Sequence, residues 1–180
     1  MSYLATLAAA LPRRASDNAL AIGAVGLATL VGAWVIQGLG YAACDLCYEE
    51  RYAYYASVPL AAIAFALAAS GSGQVLTRAI FWAVALIFAA NVVLAAYHSG
   101  VEAHLWRGPT ACTGSIAGAA SGESLLDQLT TAKVVKVVNC DVVALRIFGL
   151  SLANWNVLVS GAISLFSVRA ALARPKAAGR

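Results

Sequence analysis

At 180 residues, 62% of them hydrophobic and only 11% charged, the chain has a mean hydropathy of +0.80. A soluble domain usually carries about 25% charged residues, so this chain lacks the polar surface to face water on all sides and falls in the membrane class. Its net charge of +4 does not point to nucleic acid, because the basic residues flank apolar runs instead of gathering in one patch with interleaved aromatics.

In chain order, Arg13 and Arg14 precede the first run without Asp, Glu, Lys or Arg, Ala19 to Ala43. Its apolar core is longer than that of a secretory signal peptide, Tyr41-Ala42-Ala43-Cys44 only faintly resembles a lipoprotein cleavage site, and Arg13-Arg14-Ala15-Ser16-Asp17 is a poor twin-arginine signal. No cleaved segment is expected. Three further uncharged runs follow, Tyr52 to Thr77, Ala79 to Tyr97 and Ile147 to Val168, the second run being trimmed near Ala69 by the turn signal Ser70-Gly71-Ser72-Gly73. Each run approaches or exceeds the roughly 20 residues that an α-helix needs to cross about 30 Å of hydrocarbon. Lipid offers the backbone no hydrogen-bond partners, so these runs are predicted to be helices and not strands. The expected architecture is a single all-α membrane domain over 1–180, a bundle of four transmembrane helices with spans near 19–43, 52–69, 79–97 and 150–170. Two cysteine-bearing connections, near 44–51 and 98–149, lie on one side.

The distribution of Lys and Arg sets the orientation. Arg13 and Arg14, Arg78, and the tail residues Arg169, Arg174, Lys176 and Arg180 place both termini and the second connection in the cytoplasm; the first connection sets Arg51 against Asp45, Glu49 and Glu50. The third connection also carries Arg107, Lys133, Lys136 and Arg146, but it is long enough for charge to count less. Within it, Leu125, Leu126, Leu129, Val134, Val135, Val137 and Val138 interrupt polar residues, which suggests a segment lying in the membrane interface. Trp106 and Trp155 read as interface anchors.

All four cysteines, Cys44, Cys47, Cys112 and Cys140, fall in the two outer connections. Ordinary core thiols would scatter through the helices; an even count facing an oxidising compartment argues for disulfides, with three pairings possible. Cys44-Asp45-Leu46-Cys47 has the spacing of a small, easily reduced and re-formed ring, a motif that commonly depresses one thiolate pKa. Cys112 and Cys140 close a far larger loop, worth about 3–4 kcal/mol in loop-closure entropy, and on spacing alone could be structural. A four-cysteine zinc site is disfavoured because only one close pair exists, and no metal is expected. Arg51, four residues after Cys47, could stabilise a thiolate or a reduced quinone oxygen, although an interfacial arginine also snorkels to headgroups. His98, at the outer end of the third helix, is a second candidate for the same site; a solvated or capping histidine is the bland alternative.

Cys44-Asp45-Leu46-Cys47-Tyr48-Glu49-Glu50-Arg51 after one membrane helix resembles the first loop of the bacterial disulfide bond formation protein B family, the quinone-dependent oxidases of the periplasmic dithiol oxidase DsbA. Pro109-Thr110-Ala111-Cys112, Asn139-Cys140-Asp141 and Phe148-Gly149-Leu150-Ser151-Leu152-Ala153-Asn154-Trp155 are similar to its second loop and the start of its fourth helix, so the resemblance spans nearly the whole chain. The extra acid in Glu49-Glu50 departs from the commonest form of the motif. The resemblance implies an inner-membrane thiol oxidase that re-oxidises a DsbA-like partner and passes electrons to ubiquinone or menaquinone. By the same likeness Cys44 and Cys47 are the quinone-proximal pair, Cys112 and Cys140 the shuttle pair, and Arg51 and His98 line the quinone site. Two other readings are a non-enzymatic four-helix scaffold braced by structural disulfides and an oxidoreductase resembling vitamin K epoxide reductase, whose double-cysteine motif sits at a later helix.

Overall fold

The computed structural model of the chain describes residues 15–109 and 139–173. Four helices make the bundle: α1 (Ala15–Gly38), α2 (Asp45–Ala69), α3 (Gln74–Glu102) and α4 (Leu152–Leu172). They contain 24, 25, 29 and 21 residues, so at 1.5 Å per residue even the shortest is about 32 Å long, enough to cross the hydrocarbon layer. All four are long and apolar enough to span a membrane. Their outward faces carry bare aliphatic side chains such as Leu20, Val31, Leu86, Val93 and Leu165, which only a lipid surrounding would solvate.

The bundle is held by close fit. α3 packs most extensively on α4, α1 on α2, and α2 on α3. Between bilayer-embedded helices there is little hydrophobic drive, so small residues that let backbones approach supply the contact. Gly23 and Gly26 do this on α1: a Cβ at Gly23 would stand 3.3 Å from Ala61 Cβ, and one at Gly26 3.3 Å from Val58 Cγ2. Fully buried Ala64, Phe88 and Val84 fill the centre, and Tyr54 meets Phe88 edge-on at 5.0 Å between ring centroids.

The connections differ from the sequence reading in one consequential place. The stretch 44–51, expected as an outer loop, is mostly helix: Cys44 is the N-cap of α2, its sulfur accepting from the Cys47 amide at 3.3 Å, and Asp45 sits in the positively polarised first turn. The connection from α1 is therefore confined to residues 39–44. α3 likewise runs past residue 97 to Glu102, which puts His98 inside the helix. At the opposite end of the bundle, α2 and α3 are joined through residues 70–73, with Gly71 and Gly73 in the left-handed region.

Ahead of α4 a short hairpin pairs β1 (Arg146–Ile147) with β2 (Leu150–Ser151), Arg146 opposite Ser151. Its two-residue loop has Phe148 at φ 51° and Gly149 at φ 84°, the positive pair that a tight twisted hairpin demands. Trp155 Nε1 donates to Ile147 O at 3.0 Å and Ser151 Oγ accepts from the Asn154 amide at 3.2 Å, so the hairpin is tied to the first turn of α4. Trp106 stacks on Tyr97 and donates to its carbonyl at 2.9 Å. The interfacial segment expected between Glu123 and Val138 lies outside the described residues.

Gly26→Leu should overfill the α1–α2 seam and lower stability by about 1–3 kcal/mol. Gly32→Ala, where a Cβ meets nothing within 4 Å, should be neutral or stabilising by up to about 1 kcal/mol. Unfolding of each variant in detergent micelles checks the contrast, and equal stability of the two would show that the seam is not closely fitted.

Candidate functional site

The short α1–α2 connection delivers Cys44 to the first turn of α2, and the three-residue spacing then brings Cys47 round onto it. The two sulfurs face each other at 2.6 Å. Cys44 is buried and Cys47 half-buried. Cys44 shares an apolar cluster with Leu46 of α2, Val101 of α3 and Cys140, which is 1% exposed. Cys140, some 96 positions away in sequence by its numbering, is thus carried back onto the first pair. Cys112 lies outside the described residues.

Against the cysteine pair stands a buried acid–base array. His98 Nε2 lies 3.5 Å from Cys44 Sγ, and His98 Nδ1 donates to Glu50 Oε1 at 2.7 Å. With Nδ1 committed to the carboxylate, Nε2 is left facing the sulfur, able to accept a thiol proton or to donate to a thiolate. The second carboxylate oxygen, Oε2, accepts from Asn156 Nδ2 at 2.6 Å. Asn156 is held in turn from α2 and α4: its Oδ1 accepts from Tyr54 OH at 2.5 Å and from Ser160 Oγ at 3.1 Å. Asn91 of α3 donates to Ser160 Oγ at 2.9 Å. One chain of hydrogen bonds therefore links α2, α3 and α4 and ends at Cys44.

The Cys44 thiol is pushed up, first by its hydrogen bond with Cys47 and next by burial, with His98 pulling against both.

Arg51 lies on the other side of the pair. Nη1 donates to Gln37 Oε1 of α1 at 2.8 Å, and the guanidinium sits 5.0 Å from the centroid of the Tyr48 ring, whose hydroxyl accepts from Gln37 Nε2 at 2.8 Å. Both cysteines, Arg51, Glu50 and His98 line one cavity of about 240 Å³, walled elsewhere by apolar residues including Leu30, Ala33 and Ile36 of α1 and Val159 of α4.

Of the residues singled out by sequence, Cys44, Cys47, Arg51 and His98 converge on this cavity and Cys140 packs behind it. Glu50 was visible only as an extra acid in the motif, and Tyr54, Asn91, Asn156 and Ser160 escaped notice. A signal for them existed. Glu50 and Tyr54, and Asn156 and Ser160, are four residues apart, while Asn91 and His98 are seven apart. These spacings put polar groups on one face of an otherwise apolar helix, where they need partners inside the bundle.

Asn156→Leu removes the donor to a buried carboxylate oxygen, and an unpaired buried polar group costs about 1–3 kcal/mol. Loss of that much stability in micelle unfolding experiments is expected. An unchanged midpoint would mean that Glu50 finds another donor.

The profile of the family described as "Disulfide bond formation protein DsbB" matches residues 15–170. Neither the curated proteins nor the solved structures returned a match. The match covers three helices, nearly all of the fourth and the cysteine pair, and it places the chain in the DsbB family, the membrane oxidoreductases that act on thiols in disulfide formation.

Proposed function

We propose that this protein re-oxidises a periplasmic DsbA-like dithiol oxidoreductase by disulfide exchange and passes the two electrons to a membrane quinone. It does so from the bacterial inner membrane with both termini in the cytoplasm. The observation that carries the reading is the cysteine pair at the polar end of a mainly apolar cavity that Arg51 and His98 also line. The cavity volume sits just below the roughly 300–1,000 Å³ typical of small-molecule pockets, which suits a quinone ring with its tail directed into lipid. Apolar walls fit the ring, and a fixed guanidinium and an imidazole fit its oxygens.

A quinone supplies a two-electron acceptor, matching the two electrons of one disulfide. The residues of the chain do the rest. The partner's thiolate attacks Cys112 and releases Cys140; the partner's second thiol then resolves the mixed disulfide and the partner departs oxidised. Cys140, in the same buried cluster as Cys44, attacks that sulfur and frees Cys47 as a thiolate; Cys112 then attacks Cys140 of the Cys44–Cys140 link, which restores the Cys112–Cys140 disulfide and releases Cys44. His98, oriented by Glu50, stands where a proton must be taken from or returned to Cys44. Release of the electrons restores the Cys44–Cys47 disulfide. A partner poised near −120 mV needs an acceptor stronger than glutathione, which a respiratory quinone provides.

The test is quinol formation by purified protein given the reduced partner and a soluble quinone. Intact disulfides without turnover would favour the scaffold reading instead. In the same assay Arg51→Ala should lower quinone affinity or rate about ten- to a hundredfold, the equivalent of one charge-assisted hydrogen bond of roughly 1.5–3 kcal/mol. Arg51→Lys should keep part of the activity because it keeps the charge and loses the planar donor array. Unchanged kinetics in Arg51→Ala would make this residue a headgroup anchor.

Orientation is tested separately. Reporter fusions after Ser72 and at the carboxyl terminus should read cytoplasmic, and a carboxyl terminus outside would overturn the topology.

A further inference from the structure

The reduced cysteine pair, His98 and Glu50 together have the parts of a metal site distinct from any four-cysteine arrangement. Cys44 Sγ, Cys47 Sγ and His98 Nε2 all lie within 4.8 Å of one another. In tetrahedral zinc coordination, Zn–S bonds of about 2.3 Å and Zn–N bonds of about 2.0–2.1 Å separate a sulfur from a nitrogen ligand by about 3.5 Å, and two sulfurs by about 3.8 Å. The Cys44–His98 edge already has that length, 3.5 Å. The sulfur–sulfur edge is 2.6 Å between two free thiols and must widen; no bond between them resists this, and non-bonded heavy atoms settle at about 3.5–4.0 Å.

The carboxylate that would orient the histidine is also in place. A metal-binding histidine characteristically gives its other ring N–H to a carboxylate, which fixes the ring and raises its basicity. His98 Nδ1 does this to Glu50 Oε1 at 2.7 Å, and Asn156 holds the other carboxylate oxygen at 2.6 Å. The ligands come from the N-cap and first turn of α2 and from α3, elements fixed by bundle packing. The cavity that Cys44, Cys47 and His98 line leaves room for a fourth ligand.

We propose that once the Cys44–Cys47 disulfide is reduced, this cluster binds one Zn²⁺ through Cys44, Cys47 and His98, with water in the fourth position, and that the metal withdraws the pair from exchange. No electrons move. Two S–H protons are released, two Zn–S bonds form, and removal of the metal returns the dithiol. The oxidised pair has no thiolate to offer, so the site exists only in the reduced state. Soft sulfur and imidazole donors select zinc and exclude magnesium and calcium. The proposal rests on the pair being reducible and not on its transfer of electrons to quinone.

The experiment uses the full chain in detergent with Cys112→Ser and Cys140→Ser, so that one pair of thiols remains, reduced with a phosphine that does not bind metal. Cobalt is the spectroscopic probe. One equivalent should give the visible bands of tetrahedral cobalt with a thiolate-to-metal charge-transfer band, be displaced by zinc, and be absent from the oxidised sample. Glu50→Gln should weaken zinc binding about 10–100-fold, as loss of the carboxylate that orients a ligating histidine does, and His98→Ala should abolish the tetrahedral spectrum. An octahedral spectrum from the parent pair, equal binding by the oxidised protein, or unchanged affinity in His98→Ala would each overturn the site. In the unsubstituted chain, zinc added during turnover should stop thiol oxidation and a chelator should restore it; turnover unaffected by saturating zinc would overturn the withdrawal of the pair. The cobalt measurement contains neither quinone nor partner, so its failure and a failure of quinone reduction are separate results.

Discussion

A buried carboxylate governs the outer half of this bundle. Glu50 is 6% exposed at the end of a membrane helix, where an uncompensated charge would be very costly. Both its oxygens are satisfied, one by His98 and one by Asn156, and satisfying them fixes the register of α2 against α3 and α4 at once. The imidazole cannot rotate away without leaving an oxygen of Glu50 unpaired. Cys44 therefore meets a histidine whose orientation is set by packing across three helices.

That constraint sorts the surroundings of the two cysteines. Cys44 shares a buried cluster with Leu46, Val101 and Cys140 and has His98 at 3.5 Å, and it lines the cavity together with the half-buried Cys47 and Arg51. The neighbouring sulfur first, and burial next, raise the Cys44 thiol, with His98 pulling against both. Arg51 is anchored independently, through Gln37 and Tyr48, and among the described residues no acidic side chain pairs with it.

The membrane explains why this arrangement tolerates so many polar groups. Tyr54, Asn91, Asn156 and Ser160 form a closed set of donors and acceptors in the bundle interior. In lipid the alternative to such pairing is a polar atom with no partner, so even modest hydrogen bonds act as specificity devices that select one packing of the helices. Gly23 and Gly26 complement them by letting α1 approach α2, which brings Gln37 within reach of Arg51.

Composition and charge-free run length were enough to determine four membrane helices, because the hydrocarbon thickness and the need to satisfy every backbone group leave few alternatives. The Cys-x-x-Cys spacing, with Arg51 one turn beyond it, likewise marked two sulfurs that meet, since residues so close in sequence are close in any local structure. Tertiary structure alone decided the rest. Whether 44–51 was loop or helix depended on a cap made by Cys44 itself, and a cysteine cap is no sequence signal. That His98 would find both Cys44 and Glu50, that Asn156 would reach back over 106 positions to the same carboxylate, and that Cys140 would settle behind Cys44 are pairings between distant segments. They follow from the rotation of each helix about its axis. The spacing of Glu50 and Tyr54, of Asn91 and His98, and of Asn156 and Ser160 marks an inward face on three helices, but which of these groups meet is settled only by the packing of small residues and the closure of the buried hydrogen bonds.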